Sequence, residues 1–185
     1  MGIGDIDYAI LSTLAGWRTP VLDAVALGVS GAGYYGIVWM VLAVLSALSL
    51  RTAAARMAII RVVFSVLIAN TVVNYVVKPM VGRDRPFVTH VESTVVGHQP
   101  SGPSFPSGHA TVAAAGATAM TLLWPGAALA WWLLAAVTIV ARVYMGVHYP
   151  TDVLGGTLLG IACAWLATGG ARCYTARPVT PGVPR

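Results

Sequence analysis

Residues 127–171 read AALAWWLLAAVTIVARVYMGVHYPTDVLGGTLLGIACAWLATGGA. Two apolar runs, residues 127–145 and 153–171, are joined by a short polar segment that ends at Asp152. About 20 apolar residues suffice for a helix to cross the hydrocarbon core of a bilayer. The stretch therefore predicts two membrane-spanning helices whose joined ends carry polar side chains.

Three more apolar runs precede this pair, at residues 34–50, 53–77 and 109–124. The chain of 185 residues is 57% hydrophobic and only 9% charged, whereas a soluble domain is roughly 25% charged. We therefore predict an all-α fold, a polytopic membrane helix bundle with five to six transmembrane helices. A single membrane-embedded domain should cover residues 1–176, and the Pro-rich residues 177–185 should form a disordered tail.

The number of spans depends on residues 5–30. Ile6 and Ile10 recur at helical spacing, but Arg18 and Pro20 interrupt the pattern. The segment fits either a sixth span or two short helices that lie in the membrane interface. Composition leaves both alternatives open.

Two further features concern the packing of the last runs. The run at residues 109–124 is short, which predicts that its N-terminal end lies below the membrane surface. Gly155, Gly156 and Gly160 lie in the last run and predict a face of small residues for close helix packing.

Two groups of arginines predict the orientation. They flank the turn before the run at 53–77 and follow the last run: Arg51, Arg56, Arg61, Arg172, Arg177 and Arg185. Five alternating crossings put both groups on one side of the membrane, and the positive-inside rule makes that side cytoplasmic. The chain should therefore be a multi-pass protein of the cell (plasma) membrane whose polar segments face outward.

The net charge of +5 does not point to nucleic acid. The basic residues divide between the polar segments and the ends of apolar runs, and they form no patch interleaved with aromatic residues. We expect membrane lipids and no nucleic acid as partners, and the sequence leaves the oligomeric state open.

Three polar segments stand at the ends of apolar runs: KPMVGRDRP at residues 78–86, PSGH at 106–109 and RVYMGVHYPTD at 142–152. In the second, Ser107 suits the N-cap of a helix, and Gly108 would let the backbone approach an anion. The free N–H groups and the positive dipole end at a helix N-terminus then favour phosphate.

The histidines and cations of these segments suit phosphoryl transfer. Asp152 follows His148 by four residues, so its carboxylate can hold one imidazole nitrogen while the other attacks phosphorus. Lys78, Arg85 and Arg142 can bind the equatorial oxygens of the phosphate. The second imidazole, in PSGH, can protonate the leaving group.

The spacing of these residues resembles the three-part signature of the type 2 phosphatidic acid phosphatase superfamily, K-x6-R-P, P-S-G-H and S-R-x5-H-x3-D. The match runs from Lys78 to Asp152, and Ala141 stands where the family has Ser. The resemblance implies that His148 is the nucleophile that forms a phosphohistidine, that Asp152 orients it, and that His109 is the acid. It also implies a bundle of six spans, no metal or other cofactor, and the phosphate-binding residues Lys78, Arg85, Ser107, Gly108 and Arg142.

The resemblance implies an integral membrane phosphatase for a polyprenyl phosphate or pyrophosphate at the outer leaflet, like the bacterial undecaprenyl pyrophosphate phosphatases. The same site would serve a phosphatidylglycerophosphate or phosphatidic acid phosphatase, a phosphatase for a polyprenyl-linked sugar phosphate, or a lipid phosphotransferase. A vanadate-dependent haloperoxidase has a similar anion site but is soluble, so the hydropathy argues against it. A transport module that only binds an anion would not need the pair of histidines.

Four polar residues near these segments are left outside the predicted site. Arg83 and Asp84 lie within the first motif, and we interpret them as a local ion pair. Residues 87–105 form the one substantial loop outside the membrane and could act as a lid. His90 and His98 lie in this loop, and we expect them to be solvated rather than to contact substrate or metal.

Overall fold

The computed structural model describes residues 2–33, 36–50 and 53–169, and every regular element within them is a helix. This confirms the all-α prediction for that part of the chain. The α-helices are α1 Ile3–Ala15, α2 Pro20–Ala32, α3 Ile37–Leu50, α4 Ala53–Val72, α5 Lys78–Val81, α6 Pro86–Thr89, α7 Gly108–Leu123, α8 Ala128–Tyr144 and α9 Pro150–Thr168. A π-helical segment, Val73–Val77, joins α4 to α5, and a 3₁₀ turn, Pro125–Ala127, precedes α8.

Three helical stretches among the described residues are long and apolar enough to cross a membrane: Ile59–Thr89, Pro125–Tyr144 and Pro150–Thr168. A fourth span results if the bent pair Pro20–Ala32 and Ile37–Ser46 crosses as one unit. α7 has 16 residues, fewer than the 20 or so that a full crossing needs. The bundle is thus of the predicted kind, and the total of five to six spans stays a prediction.

Residues 5–30 form two helices rather than one. α1 and α2 have 13 residues each, or about 20 Å of helix, which is less than the thickness of the hydrocarbon core. Pro20 begins α2, and Thr19 caps it by accepting a hydrogen bond from the Leu22 backbone N–H at 3.2 Å. The break at residues 16–19 therefore follows from the proline and the cap.

α7 lies at the centre of the bundle, against α4, α8 and α9. Close packing on α9 depends on the predicted glycine face. A Cβ at Gly156 would lie 2.6 Å from the Ser107 carbonyl oxygen, and a Cβ at Gly160 would overlap the Thr111 carbonyl oxygen. Gly155 instead faces the Phe105 ring, so two of the three glycines serve the α7–α9 contact.

The helix ends bring the three polar segments together. α7 and α9 begin, and α8 ends, at the same end of the bundle, where the Ser107 N–H donates to the Asp152 carbonyl at 3.0 Å. The π-helical segment ends immediately before Lys78 at this same end. The predicted tail at residues 177–185 and four of the six arginines used for orientation lie outside the described residues.

Candidate active site

A cavity of about 580 Å³ lies at this end of the bundle. Six of the eight predicted site residues line it: Lys78, Arg85, Gly108, His109, Arg142 and His148. Among the described residues around the cavity there are three cations and no Asp or Glu. Buried cations without a carboxylate are costly, and a bound anion would offset that cost.

Arg85 is 4% exposed and lines the cavity. Its Nε donates to the Gly102 carbonyl at 2.9 Å, and its Nη2 donates to the Pro103 carbonyl at 3.3 Å. Its Nη1 donates to the Val147 carbonyl at 2.9 Å and lies 3.4 Å from His148 Nε2. One guanidinium therefore holds both the 87–105 loop and the segment that carries His148.

α2 also contributes to the lining of the cavity, through Ser30. Arg142 Nη1 donates a short hydrogen bond to Ser30 Oγ, and the His109 ring hydrogen-bonds to the Ser30 backbone. Arg142 Nε is buried without a hydrogen-bond partner among the described residues, as is Ser107 Oγ. Arg142 lines the cavity, so its Nε is a donor that an anion bound there could use.

Lys78 lies beside the N-terminus of α7. A Cβ at Gly108 would lie 3.8 Å from Lys78 Nζ and 3.8 Å from Asn74 Oδ1, so the missing side chain keeps this space open. Asn74 Nδ2 donates to the Asn70 carbonyl and side-chain oxygens, both at 3.0 Å. Ser107 is the N-cap residue, as predicted, but its hydroxyl makes no capping bond.

His148 and Asp152 form the predicted pair. His148 precedes α9, Asp152 lies in its first turn, and His148 Nδ1 is 3.5 Å from Asp152 Oδ2, which is within ion-pair distance although Nδ1 makes no hydrogen bond with any described residue. Asp152 Oδ2 also accepts the Tyr149 N–H at 2.9 Å. Burial lowers the pKa of His148 to about 4, so its imidazole is neutral at pH 7. Nε2 then faces Arg85 and the cavity while Nδ1 faces the carboxylate.

The interpretation of Arg83 and Asp84 as a local ion pair is wrong. Arg83 Nη1 donates to Asp152 Oδ1 at 2.7 Å, and Arg83 Nη2 donates to Asp7 Oδ2 at 2.8 Å. Asp84 is exposed and uses its backbone carbonyl to accept the Ser104 hydroxyl. The long arginine side chain reaches two buried carboxylates, which attract it more strongly than a solvated neighbour does.

The prediction that His90 and His98 are solvated is right for one of the two. His98 is exposed at the rim of the cavity. His90 is only partly exposed, because its ring stacks on Tyr8 with 3.9 Å between centroids. The loop itself is tied to the bundle, since the Val96 N–H donates to the Met145 carbonyl at 3.0 Å.

Sequence reasoning missed Ser30, Asn70, Asn74 and Asp7 as parts of this region. The two asparagines could have been recognised from the sequence, because they are spaced four residues apart in an otherwise apolar run and so lie on one helix face. Ser30 could not, since a single Ser in an apolar helix is common and usually hydrogen-bonds to its own backbone. Ala141, where the resembled family has Ser, packs among apolar residues of α2 and α8 and contributes no polar atom from its side chain.

No group of three or more His, Cys, Asp or Glu residues within the described part of the chain could hold a metal ion. The predicted lack of a metal requirement remains a prediction. The roles assigned to the eight site residues also remain predictions, although six of them line one cavity and the other two, Ser107 and Asp152, directly adjoin lining residues in the chain or in space.

Comparison with known proteins agrees with the geometry. Residues 58–172 match the PAP2 superfamily. An undecaprenyl-diphosphatase of Bacillus subtilis is 37% identical over 101 residues, which are 54% of this chain and 51% of the relative. The chain thus spans about half the length of that relative. A decaprenylphosphoryl-5-phosphoribose phosphatase of Mycobacterium tuberculosis is 32% identical over 164 residues, 83% of this chain and 84% of the relative.

The fold agrees as well. The crystal structure of a transmembrane PAP2-type phosphatidylglycerolphosphate phosphatase from Bacillus subtilis superposes with a TM-score of 0.68 at 26% identity. The superposition covers 90% of this chain and 85% of that chain. The chain is therefore a membrane protein that belongs to the PAP2 superfamily, the family that its three polar segments predicted.

Proposed function

We propose that this protein is a membrane phosphatase that hydrolyses a polyprenyl phosphate or pyrophosphate at the outer leaflet through a phosphohistidine intermediate. One observation carries the proposal. A neutral, buried imidazole presents Nε2 to a cavity that holds three cations and a second imidazole. A phosphate is the anion whose charge and three equatorial oxygens fit this set.

The first step of the proposed reaction is attack on phosphorus. His148 Nε2 forms the P–N bond while the P–O bond to the lipid breaks, and a protonated His109, whose charge the bound phosphate stabilises, gives a proton to the leaving oxygen and becomes neutral. Lys78, Arg85 and Arg142 stabilise the charge on the equatorial oxygens in the transition state. Asp152 holds Nδ1 and stabilises the positive charge that develops on the ring.

The second step regenerates the enzyme. Water attacks the phosphohistidine, His109 takes its proton, the P–N bond breaks, and inorganic phosphate leaves with neutral His148 restored. An alcohol in place of water would make the protein a phosphotransferase, so the two activities differ only in the acceptor.

The identity of the lipid is proposed from the relatives. Undecaprenyl-diphosphatase is the name of the Bacillus subtilis relative, and a polyprenyl pyrophosphate is our first candidate. The match to the Mycobacterium tuberculosis relative covers far more of both chains. A polyprenyl-linked sugar phosphate is therefore our second candidate substrate. Phosphatidylglycerophosphate follows from the solved structure, and phosphatidic acid follows from the resemblance alone.

The outward orientation is supported by the direction of α4. Arg56 lies near its start, and Lys78 lies at the cavity 22 residues later, so about 30 Å of helix separates them. Arg56 and the cavity therefore belong to opposite faces of a bilayer. With arginine on the cytoplasmic side, the cavity opens outward.

The test is phosphate release by the purified protein in detergent, with His148→Ala as the control. The panel contains polyprenyl monophosphate and diphosphate, a polyprenyl-phosphosugar 5-phosphate, phosphatidylglycerophosphate and phosphatidic acid. We expect release in excess EDTA, inhibition by orthovanadate, and the highest kcat/KM on a polyprenyl substrate. Transfer to an added alcohol without a matching release of phosphate would make it a phosphotransferase. No turnover of any substrate would refute the proposal.

A further inference from the structure

Behind the cavity, two buried carboxylates, Asp7 and Asp152, are linked by the partly exposed guanidinium of Arg83. Asp7 is 1% exposed and Asp152 is fully buried, and Arg83 bridges them with contacts of 2.8 and 2.7 Å. The guanidinium also lies over the Tyr149 ring, 4.1 Å from its centroid. None of these three charged residues lines the cavity, so they belong to the support of the site rather than to its phosphate-binding surface.

Arg83 determines which oxygen of the Asp152 carboxylate faces His148. Arg83 Nη1 donates to Oδ1, so Oδ2 is the oxygen that accepts the Tyr149 N–H and lies near His148 Nδ1. A positive charge on the far side of the carboxylate also makes the carboxylate a weaker base, so a shared proton stays on Nδ1. Nε2 then keeps the lone pair that the proposed reaction needs.

Asp7 fixes Arg83 from the other side. Besides the ion pair, Asp7 Oδ1 accepts the Thr151 N–H at 2.9 Å, and its Oδ2 accepts the Thr151 hydroxyl. Arg83 Nη1 donates to that same hydroxyl oxygen at 2.7 Å. α1 is therefore joined to the first turn of α9 through one carboxylate, although α1 contributes no residue to the cavity lining.

We propose that Arg83 is a positioning residue that acts through Asp152 to keep His148 as the neutral Nδ1–H tautomer, and that Asp7 of α1 anchors it. The inference rests on the proposed function, because it assigns the tautomer that attacks phosphorus. It also explains why two carboxylates can be buried here, since one planar guanidinium donates to both of them.

The side-chain geometry requires Arg rather than Lys. A guanidinium can donate to Asp7 and Asp152 from two nitrogen atoms at once, whereas an ammonium is a single point of charge. Arg83→Lys should therefore retain the charge but only part of the function. Arg83→Met removes the charge together with the hydrogen bonds and leaves two buried carboxylates without the cation that bridges them.

The first measurement is ¹⁵N NMR of the histidine rings in detergent-solubilised protein, with His148 assigned by comparison with His148→Ala. In the unmodified protein we expect one neutral form with the proton on Nδ1. In Arg83→Met we expect a mixture of tautomers in place of this single form. In Asp7→Asn the fraction of the Nδ1–H form should fall, and in Arg83→Lys it should be intermediate between the unmodified protein and Arg83→Met. The matched control is Arg18→Met, because Arg18 also bridges distant segments but donates to the Tyr144 carbonyl and to Thr94. It should leave the His148 tautomer unchanged.

The second measurement is turnover of the same folded samples on the best lipid phosphate. We expect kcat to fall by about 10- to 100-fold in Arg83→Met with little change in KM, as when an outer partner of a catalytic group is removed. A lower melting temperature with an unchanged tautomer and an unchanged kcat would mean a purely structural role and would overturn the inference. If the unmodified protein hydrolyses nothing, the proposed function fails, whereas the NMR comparison still decides the role of Arg83.

Discussion

At the scale of single residues, the two histidines of the cavity have different surroundings. His148 is 2% exposed and faces Asp152 and Arg85, whereas His109 is partly exposed and hydrogen-bonds to the Ser30 backbone. A carboxylate beside an imidazole stabilises the ring when it becomes cationic during attack. This difference supports distinct chemical roles.

The two histidines should therefore respond differently to removal. His148→Ala should abolish turnover on every substrate, because the covalent step is lost. His109→Ala should cost about 10²- to 10⁴-fold on a lipid monophosphate, where a basic alkoxide leaves, and less on a pyrophosphate or p-nitrophenyl phosphate. The measurement is kcat/KM for each variant on the three substrates. Equal losses of His109→Ala on all three would contradict its role as the acid.

The protonation state of His148 can be measured directly. Burial lowers its pKa to about 4, so the ring takes up a proton only as the pH falls through about 4 and is neutral above that value. The ring ¹⁵N shifts of His148 should therefore stay constant between pH 8 and pH 5. A titration midpoint near the ordinary value of about 6.5 would show that the ring is not desolvated.

Most of the site could be predicted from the sequence, because its histidines and cations stand in three polar segments of a recognisable spacing, and a charge within an apolar run, as at Arg142, is costly and usually functional. Lys78, Arg142 and His148 were identifiable on that ground. The role of Arg83 was not, since its partner Asp7 lies 76 positions away and only the fold brings the two together. A local rule instead paired Arg83 with the adjacent Asp84.

At the scale of helices, hydropathy placed the elements and local chemistry set their ends. The run at residues 127–145 became α8, Ala128–Tyr144, and the run at 153–171 became α9, Pro150–Thr168. α9 begins at Pro150, three residues before the apolar run, because proline suits the first position of a helix. The π-helical segment Val73–Val77 could not be predicted, because no residue type marks it.

The contact between α7 and α9 should be intolerant of any added side chain at Gly160. A Cβ there would overlap the Thr111 backbone carbonyl, and backbone atoms cannot move aside as a side chain can. We expect Gly160→Ala to lower the free energy of unfolding by about 1–3 kcal/mol. Thermal unfolding in detergent measures this.

Gly28→Ala is the matched control for that substitution. Gly28 is exposed within α2, and nothing lies within 4 Å of an added Cβ. Because Ala is the better helix former, this change should raise the free energy of unfolding by about 0.5–1 kcal/mol. If Gly160→Ala proved as harmless as Gly28→Ala, the close α7–α9 packing would be wrong.

At the scale of the whole molecule, the described bundle has a polar end with the cavity and an apolar body. The sequence predicted this division from the position of the three polar segments. It did not predict that α1 and α2 would contact the site, because Asp7 and Ser30 act over long distances along the chain. The orientation in the membrane is proposed and can be tested on cells.

Gln99 and Gly126 are suitable positions for single cysteines at opposite ends of the bundle. Gln99 is exposed in the loop at the cavity end, and Gly126 is exposed in the turn between α7 and α8 at the other end. In a chain with Cys163 and Cys173 replaced by Ser, Gln99→Cys should react with an impermeant thiol reagent added to intact cells. Gly126→Cys should react only after permeabilisation. The reverse pattern would place the cavity on the cytoplasmic side.

The most direct test of the account is to trap the phosphoryl group on the enzyme. Purified protein is mixed with a ³²P-labelled lipid phosphate, denatured within the first turnover, and digested. We predict alkali-stable, acid-labile label on the peptide that contains His148, more of it in His109→Ala with a good leaving group, and none in His148→Ala. Label on another residue, or continued turnover by His148→Ala, would contradict the account.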